Sequence, residues 1–463
     1  MSFKSFLFVF FVIVVVSARH HLGREEQEMS PSDHDYKKSF SQYRAGRLSA
    51  PASYSTGPIF FPVDYGADPT GKEDSYEAFA KIITELLTFC KNFSMADSIH
   101  DCGGATIDLQ GGQYLLSKPL SFPQMYGNFK MMSGTLRAMD SFPTDKYLVS
   151  VGAKSCSNKQ QSCNEHVSFS YMDFDANVVA KGGLYIGATM GCNVGPYVFF
   201  IGYTYAGVYI DGGHETMVHQ GWFGEYYYEN GPKNTTTATG TGVIINGNDH
   251  YLVDDIFFWS KNGVEINGGA NLLRGVHTWC GGDGIIVNGG ANRLLNCYID
   301  WNTLLVKKFE NNLILDTFFY VAHAVFKPSG KQDVTGFAFE RSLFGGSSGT
   351  AIEVDLSEGS FGTIRDCYIT EQFEGAHKYT IKQTQLTKSL HLKDASEFTI
   401  DFKDNLVFGR IASYHYSVIV EDDKFVRYYG KPVNGTAVTV VTEEPITGTV
   451  TISVDESTYA YQQ

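Results

Sequence analysis

Gly242-Val-Ile-Ile-Asn-Gly247 recurs twice, as Gly263-Val-Glu-Ile-Asn-Gly268 and as Gly284-Ile-Ile-Val-Asn-Gly289, at a spacing of about 21 residues. Gly207-Val-Tyr-Ile-Asp-Gly212 is an earlier copy. A second short segment, such as Asn271-Leu-Leu, lies between the copies. A fixed period that holds short strands and tight turns but no helix is typical of a solenoid, in which each coil stacks on the next.

The alternation within one copy predicts which side chains fill the solenoid. Val264 and Ile266 are expected to point inward and Glu265 outward, because successive side chains of a strand face opposite sides. An asparagine follows the strand in three successive copies, at Asn246, Asn267 and Asn288. Stacked asparagine side chains can hydrogen-bond along the axis, so a structural role is favoured over catalysis for this column, which also contains Asp211.

Four segments are predicted along the chain. Residues 1–18 contain Lys4 and an apolar run over residues 6–16, which indicates a signal peptide, and residues 19–57 are predicted to be a flexible leader. Residues 58–395 are predicted to form the β-helix and residues 396–463 a small β appendage. Apolar residues at helical spacing after Asp74 predict one amphipathic helix, with Ser75 as its cap.

The composition indicates the cellular compartment and limits the class of binding partner. The net charge of −14 argues against binding to nucleic acid, whose phosphates require basic residues. No later stretch reaches about 18 uncharged apolar residues, so no transmembrane helix is expected. We predict a secreted, extracellular, monomeric protein, with glycosylation sequons at Asn92, Asn234 and Asn434.

The eight cysteines are consistent with an oxidising compartment. Three local disulfides are conceivable, although spacing alone does not fix connectivity. They are Cys90–Cys102, Cys156–Cys163 and Cys280–Cys297, which leaves Cys192 and Cys367.

The segment from Val63-Asp-Tyr-Gly-Ala-Asp-Pro-Thr-Gly71 to Phe79 resembles the opening signature of the pectate-lyase-like superfamily. The resemblance covers residues 58–390 and is strongest to divergent plant polygalacturonases of the QUARTET3 type. It implies an all-β fold, a right-handed parallel β-helix with an N-terminal capping helix and a small C-terminal β region. It also implies hydrolysis of the galacturonan backbone of pectin, an acidic polysaccharide.

Polygalacturonases carry Asn-Thr-Asp, Gly-Asp-Asp, Gly-His-Gly and Arg-Ile-Lys motifs on successive coils, and this sequence departs from most of them. Gly282-Asp283-Gly284 stands at the Gly-Asp-Asp position and keeps one carboxylate of two. Asn262 replaces the acid of the first motif, and no Gly-His-Gly occurs near Asn302. Only Lys327 resembles part of the last motif.

An inverting glycosidase needs an acid and a base on either side of the scissile bond. Asp283 is therefore the first catalytic candidate, with Asp255 or Asp211 as its partner. His277 could assist the proton transfer, although a half-buried structural histidine is an equal alternative. The candidate substrate-binding residues, for which solvated surface positions are the alternative, are His214, Glu215, Trp279, Arg274 and Lys307.

Two other functions remain open at this point. A polyuronate lyase would need calcium and a basic residue such as Arg274 or Lys307 to abstract a proton. A carbohydrate-binding β-helix without catalysis would need neither, and the fold alone does not decide between them. The sequence contains no nucleotide-binding glycine pattern, zinc-ligand spacing or Gly-x-Ser-x-Gly elbow, so no cofactor or metal is predicted.

Overall fold

The computed structural model describes residues 57–96, 98–156, 163–224, 238–346, 348–375, 378–422, 424–431 and 435–458. Within them the chain is a right-handed parallel β-helix, as predicted. The predicted signal peptide and nearly all of the leader lie outside the described residues, as do Asn234 and Asn434. The predicted domain boundaries therefore stay predictions.

One face of the solenoid, here called sheet A, is a parallel sheet of ten strands. Each coil contributes one strand, and the glycine-rich repeats supply the central ones. The strands are Leu120–Phe122, Tyr147–Val151, Gly182–Ile186, Ala206–Ile210, Thr241–Ile245, Asn262–Ile266, Asp283–Val287, Thr303–Val306, His323–Phe326 and Ile352–Val354.

The other two faces, row B and row C, belong to a sheet of 23 strands. Row B follows sheet A in each coil and contains Asn193–Val194, Met217–His219, Tyr251–Val253, Leu272–Arg274, Arg293–Leu295, Leu313–Leu315, Ala338–Glu340 and Tyr368–Thr370. Row C comes next and contains Val198–Ile201, Gly221–Gly224, Ile256–Phe258, His277–Trp279, Tyr298–Asp300, Phe318–Tyr320, Leu343–Gly345 and Phe373–Glu374.

Left-handed backbone makes the corner between rows B and C. Asp254, Gly275, Asn296 and Asp316 occupy this corner in successive coils, with φ angles of 58°, 66°, 52° and 56°. Asp and Asn tolerate this conformation better than most other residues, and glycine adopts it freely. Asp254 is therefore a turn residue, as predicted.

Apolar ladders fill the interior along the axis. The rings of Phe174, Phe200, Phe223 and Phe257 stack in sequence, with centroids 4.6–5.0 Å apart. In sheet A the inward positions are aliphatic, and Val264 and Ile266 are fully buried, as predicted.

Two asparagine ladders bind the coils at the corner after sheet A. In the predicted outer ladder, Asn267 Nδ2 donates to Asn246 Oδ1 at 2.9 Å and Asn288 Nδ2 donates to Asn267 Oδ1 at 2.7 Å. A second ladder is fully buried, where the backbone N–H of Asn271 donates to Asn292 Oδ1 at 2.9 Å. The left-handed residues of this corner, such as Ala270, lie downstream of the outer ladder, so its asparagines do not supply the turn conformation.

The helix Tyr76–Cys90 closes the N-terminal end of the solenoid, as predicted. Phe79, Ile82 and Leu86 are fully buried in the same core as the coils. Ser75 occupies the N-cap position, but its hydroxyl accepts the N–H of Asp68 instead of a helix N–H. The carboxylate of Asp74 accepts the N–H of Tyr76.

The remaining elements lie mostly before and after the regular coils. A 3₁₀ helix covers Pro62–Tyr65. The N-terminal strands are Ile59–Phe60, Thr70–Asp74, Ser94–Ala96, Ile99–Asp108, Gln113–Leu116, Tyr126–Ala138 and Val167–Asp175. Short two-stranded sheets pair Asn164–Glu165 with Thr189–Met190, Gly330–Thr335 with Gly359–Arg365, and Gly349–Thr350 with Tyr379–Thr380. An antiparallel sheet of Gln385–Asp401, Ser413–Val420, Tyr428–Gly430 and Ala437–Asp455 ends the chain.

Two of the three suggested disulfides are present, Cys90–Cys102 and Cys156–Cys163. The pairing of Cys280 with Cys297 is wrong, because both are buried free thiols. Cys297 precedes its row C strand and Cys280 follows the row C strand of the previous coil, so they lie at opposite ends of the row. That offset exceeds the Cα separation of about 4.4–6.8 Å that a disulfide allows. None of the helices in the described residues is long and apolar enough to span a membrane.

Candidate active site

Asp283 begins a strand of sheet A and faces outward at a column of mostly polar residues. The strand register places Thr241 and Asn262 on the preceding coils and Thr303 and His323 on the following ones. Neighbouring strands lie about 4.8 Å apart, so this column presents one side chain per coil along the solenoid axis.

Two neighbours hold Asp283 in place, one through its backbone and one through its carboxylate. Its backbone N–H donates to Asn262 Oδ1 at 3.1 Å, and Thr303 Oγ1 donates a short hydrogen bond to Asp283 Oδ1. Behind it, a Cβ on Gly284 would lie 2.3 Å from both Thr278 Oγ1 and Asn302 Oδ1. Glycine is required there, because a side chain would clash with both groups.

Asp211 also lies on sheet A, but far from Asp283. It ends a strand three coils earlier and five positions further along, which corresponds to about 20 Å between Cα atoms. Tyr185 Oη donates to Asp211 Oδ2 at 3.1 Å, and Lys154 Nζ lies 3.6 Å from Oδ1. An inverting pair needs carboxyl groups about 6.5–9.5 Å apart, so Asp211 and Asp283 do not form one.

Asp255 is fully buried inside the solenoid at the start of row C. The N–H of Gly221 donates to its Oδ1 at 2.8 Å, whereas Oδ2 has no partner among the described residues. Burial raises the pKa of Asp255 well above its ordinary value. Because its side chain points into the core, Asp255 does not share a surface with Asp283. The two carboxylates therefore do not form the expected catalytic pair.

His277 and Trp279 lie on the outer side of row C, a different face from Asp283. The imidazole of His277 stacks on Tyr298 with centroids 4.2 Å apart, and its Nε2 lies 3.7 Å from Asp300 Oδ2. Trp279 contacts Phe258 edge-on at 5.5 Å. Trp279 and Asp283 lie on adjoining faces, and the turn of residues 280–282 joins their strands.

The other predicted binding residues are dispersed. His214 Nδ1 lies 3.3 Å from Asp249 Oδ2 at the corner after sheet A, next to exposed Glu215. Arg274 is exposed at the end of a row B strand. Lys307 lies on sheet A just after its strand, 3.6 Å from Glu358 Oε2. Of the five, only Lys307 shares the face of Asp283.

Sheet A carries further polar residues that the sequence reasoning missed. His323 stands two coils after Asp283, with its Nε2 3.6 Å from Glu353 Oε2. Glu265, predicted only to face outward, is one coil before Asp283 and three positions further along. The spacing of 20 residues from Asp283 to Thr303 and again to His323 is the signal that could have found this histidine.

No cluster of three or more His, Cys, Asp or Glu suited to a metal ion occurs within the described part of the chain. Of the two alternative bases for a lyase, Lys307 lies on sheet A with Asp283 and Arg274 lies on row B.

The chain is 28% identical over 411 residues to Polygalacturonase QRT3 from Arabidopsis thaliana, covering 86% of this chain and 84% of that protein. The chain resembles a plant polygalacturonase over most of its length. The resemblance predicted from the opening signature is thus confirmed. No protein-family model matches the sequence.

Solved structures share the architecture at low sequence identity. The ORF18 protein of Geobacillus virus E2 superposes with a TM-score of 0.50 at 11% identity, covering 91% of this chain and 81% of that one. The endo-xylogalacturonan hydrolase of Aspergillus tubingensis gives a TM-score of 0.42 at 13% identity, with 70% and 95% coverage. Sequence identities this low are evidence about the fold and about nothing further.

Proposed function

We propose that this chain is a secreted, pectin-active glycoside hydrolase that cleaves galacturonan with inversion. The observation that carries the proposal is the position of Asp283. It keeps the motif position implied by the polygalacturonase resemblance and lies outward on sheet A, held by Asn262 and Thr303. A carboxylate fixed on a rigid surface is suited to proton transfer.

His323 is the proposed partner of Asp283. Two coils separate them, which corresponds to about 10 Å between Cα atoms, and Thr303 lies on the coil between them. The water and the glycosidic bond would lie above the Thr303 side chain. In this scheme Asp283 takes a proton from the attacking water while the His323 imidazole protonates the leaving oxygen. Glu353 orients the imidazole from its other side.

Export to the cell wall completes the proposal. The predicted signal peptide, the sequons and the two disulfides support an oxidising compartment outside the cell. The proposed partner is an acidic polysaccharide bound by a monomer.

Replacement of Asp283 tests the proposal. Wild-type protein is expected to release reducing ends from polygalacturonate, and Asp283→Asn should lower kcat by a factor of roughly 10² or more, because one proton-transfer group is lost. The matched control is Asp254→Asn. Asn296 already occupies the equivalent corner of another coil, so activity should be unchanged.

Other outcomes would point to other functions. Unchanged activity in Asp283→Asn would remove this carboxylate from the mechanism. Products that absorb in the ultraviolet and form only with calcium would indicate a lyase.

Binding without catalysis is the second candidate function. The column of Asp283 contains Thr241, Asn262, Thr303 and His323 but no other carboxylate among the described residues. Tight binding of polygalacturonate without any rise in reducing ends would favour this function over hydrolysis.

A further inference from the structure

Four tyrosines and a lysine cluster on the outer side of sheet A, towards the N-terminus from Asp283. They are Tyr147, Tyr185, Tyr205, Tyr209 and Lys181, here called the tyrosine–lysine patch. The rings of Tyr185 and Tyr209 stack with centroids 5.9 Å apart and an interplanar angle of 14°. Tyr205 packs on Tyr209 at 5.9 Å and remains 44% exposed. The patch therefore offers a broad aromatic surface to solvent.

The ring of Tyr147 forms the floor of the patch. It is 6% exposed and lies about 6 Å from the rings of both Tyr185 and Tyr209. A Cβ on Gly182 would approach this ring to 2.8 Å, so the ring lies over a position without a side chain. The hydroxyl of Tyr147 has no hydrogen-bond partner among the described residues. This hydroxyl lies beneath the outer rings, out of reach of solvent, so Tyr147 supports the patch through its ring.

A positive charge lies beside these rings. Lys181 Nζ is 4.5 Å from the ring centroid of Tyr205 and 5.7 Å from that of Tyr147. Among the described residues Lys181 forms no ion pair, whereas the neighbouring Lys154 is engaged with Asp211. The acidic groups around the patch are Asp145, which interacts electrostatically with Lys181, Asp211, which is paired with Lys154, and Glu265 near Tyr205. An ammonium group above aromatic rings, with no carboxylate paired to it, favours a ligand that carries a negative charge.

The patch lies on the same face as Asp283. Tyr209 and Asp283 are three coils apart, about 14 Å along the axis. Tyr209 also lies three positions further along its strand than Asp283, in the column of Glu265. A linear polymer bound at Asp283 would therefore pass over the rings of Tyr209 and Tyr185 by crossing sheet A obliquely.

We propose that the tyrosine–lysine patch is a binding subsite for a uronic acid ring of a polysaccharide chain. The exposed tyrosine rings stack on the sugar and Lys181 pairs with its carboxylate. This proposal rests on the proposed function for the identity of the polymer. If the proposal holds, contacts at the patch contribute to the affinity for that polymer at a distance from the bond that is cleaved.

Binding of polygalacturonate to the full chain, measured by titration calorimetry in low salt, tests the subsite. Lys181→Gln should weaken binding about tenfold, the effect of losing one charge-assisted contact. It should leave the affinity for fully methyl-esterified pectin unchanged, because esterification removes the negative charge. Tyr205→Ala should weaken the binding of both polymers, because stacking does not depend on charge.

The matched controls remove similar side chains from another face. Tyr197, 57% exposed, contacts Tyr171 beside row C, and Lys130 is exposed on an N-terminal strand. Tyr197→Ala and Lys130→Gln should bind polygalacturonate like wild type.

The proposal is overturned if wild type does not bind polygalacturonate, or if Lys181→Gln and Tyr205→Ala bind it as tightly as the controls do. Binding that these two variants weaken, with no release of reducing ends by wild type, would support the subsite and contradict only the proposed hydrolysis. The two failures are thus distinguishable.

Discussion

At the scale of single residues, burial separates polar side chains that hold the solenoid together from those that can meet a ligand. His250 is fully buried, and its Nδ1 accepts the N–H of Thr216 at 3.1 Å. Burial lowers the pKa of His250 to about 4. Asp283, by contrast, is only half-buried at the surface of sheet A. His250 and Asp283 both lie in the repeating coils, but His250 is part of the interior and Asp283 is open to a ligand.

His250 makes the fold sensitive to acid. The unfolded chain binds a proton at this histidine near pH 6.5, whereas the folded chain does so only near pH 4. Stability is therefore complete above pH 6.5 and falls as the pH drops towards 4, by up to about 3 kcal/mol. His250→Asn should reduce this slope, because asparagine occupies the same ladder position at Asn271.

Urea unfolding of wild type and His250→Asn at pH 7 and pH 4.5 measures the effect. His415→Asn is the control, since His415 is exposed. Equal pH dependence of the two variants would show that His250 does not carry this acid sensitivity.

At the scale of elements, the buried asparagine ladder joins one coil to the next. Asn292 Oδ1 accepts the N–H of Asn271, and its Nδ2 donates to the carbonyl of Gly268 at 3.2 Å. The outer ladder at Asn267 performs a similar exchange in contact with water. The two ladders should therefore differ in their contributions to stability.

Asn292→Ala should lower the free energy of unfolding by about 2–3 kcal/mol, because it leaves a buried N–H without a partner. Asn267→Ala should cost less than about 1 kcal/mol, because water can replace the lost contact. Equilibrium denaturation compares the two variants. Equal losses would contradict the distinction between the ladders.

The strands and their inward-facing residues could be predicted from the sequence, because the same period and alternation recur in the regular coils. Val264, Ile266 and the outer asparagine ladder follow from this repetition alone. The repetition does not reveal which of the three faces a given residue occupies. The sequence alone therefore places His277 of row C in one candidate catalytic site with Asp283 of sheet A. Asp255 stands out in the sequence because the next two coils carry Val276 and Cys297 at its position, but the whole column is buried, and Thr317 and Ser342 further along it are buried polar residues too. His323 was missed because no Gly-His-Gly motif marks it.

At the scale of the whole molecule, the solenoid needs closed ends, because an open coil exposes apolar residues and unpaired backbone. The helix Tyr76–Cys90 covers the N-terminal end, where Phe79 packs edge-on against Tyr114 at 5.4 Å. The Cys90–Cys102 disulfide ties the end of this helix to the first long strand.

Phe79→Ala should destabilise the protein by about 3–5 kcal/mol, because it leaves a cavity under the helix. The loosened end should also promote association between molecules. Thermal unfolding and light scattering measure the two effects, with exposed Lys81→Ala as the control. A variant as stable and as monodisperse as the control would contradict the closing role of the helix.

The central claim is that the protein hydrolyses galacturonan on sheet A, with Asp283 as a catalytic group. Product analysis of a defined oligogalacturonate, by chromatography and by NMR of the new anomeric carbon, tests it most directly. The account predicts shorter saturated galacturonates whose new reducing ends have inverted configuration, and their absence with Asp283→Asn. An oligomer that wild type binds but leaves intact, or that Asp283→Asn cleaves at the wild-type rate, would contradict it.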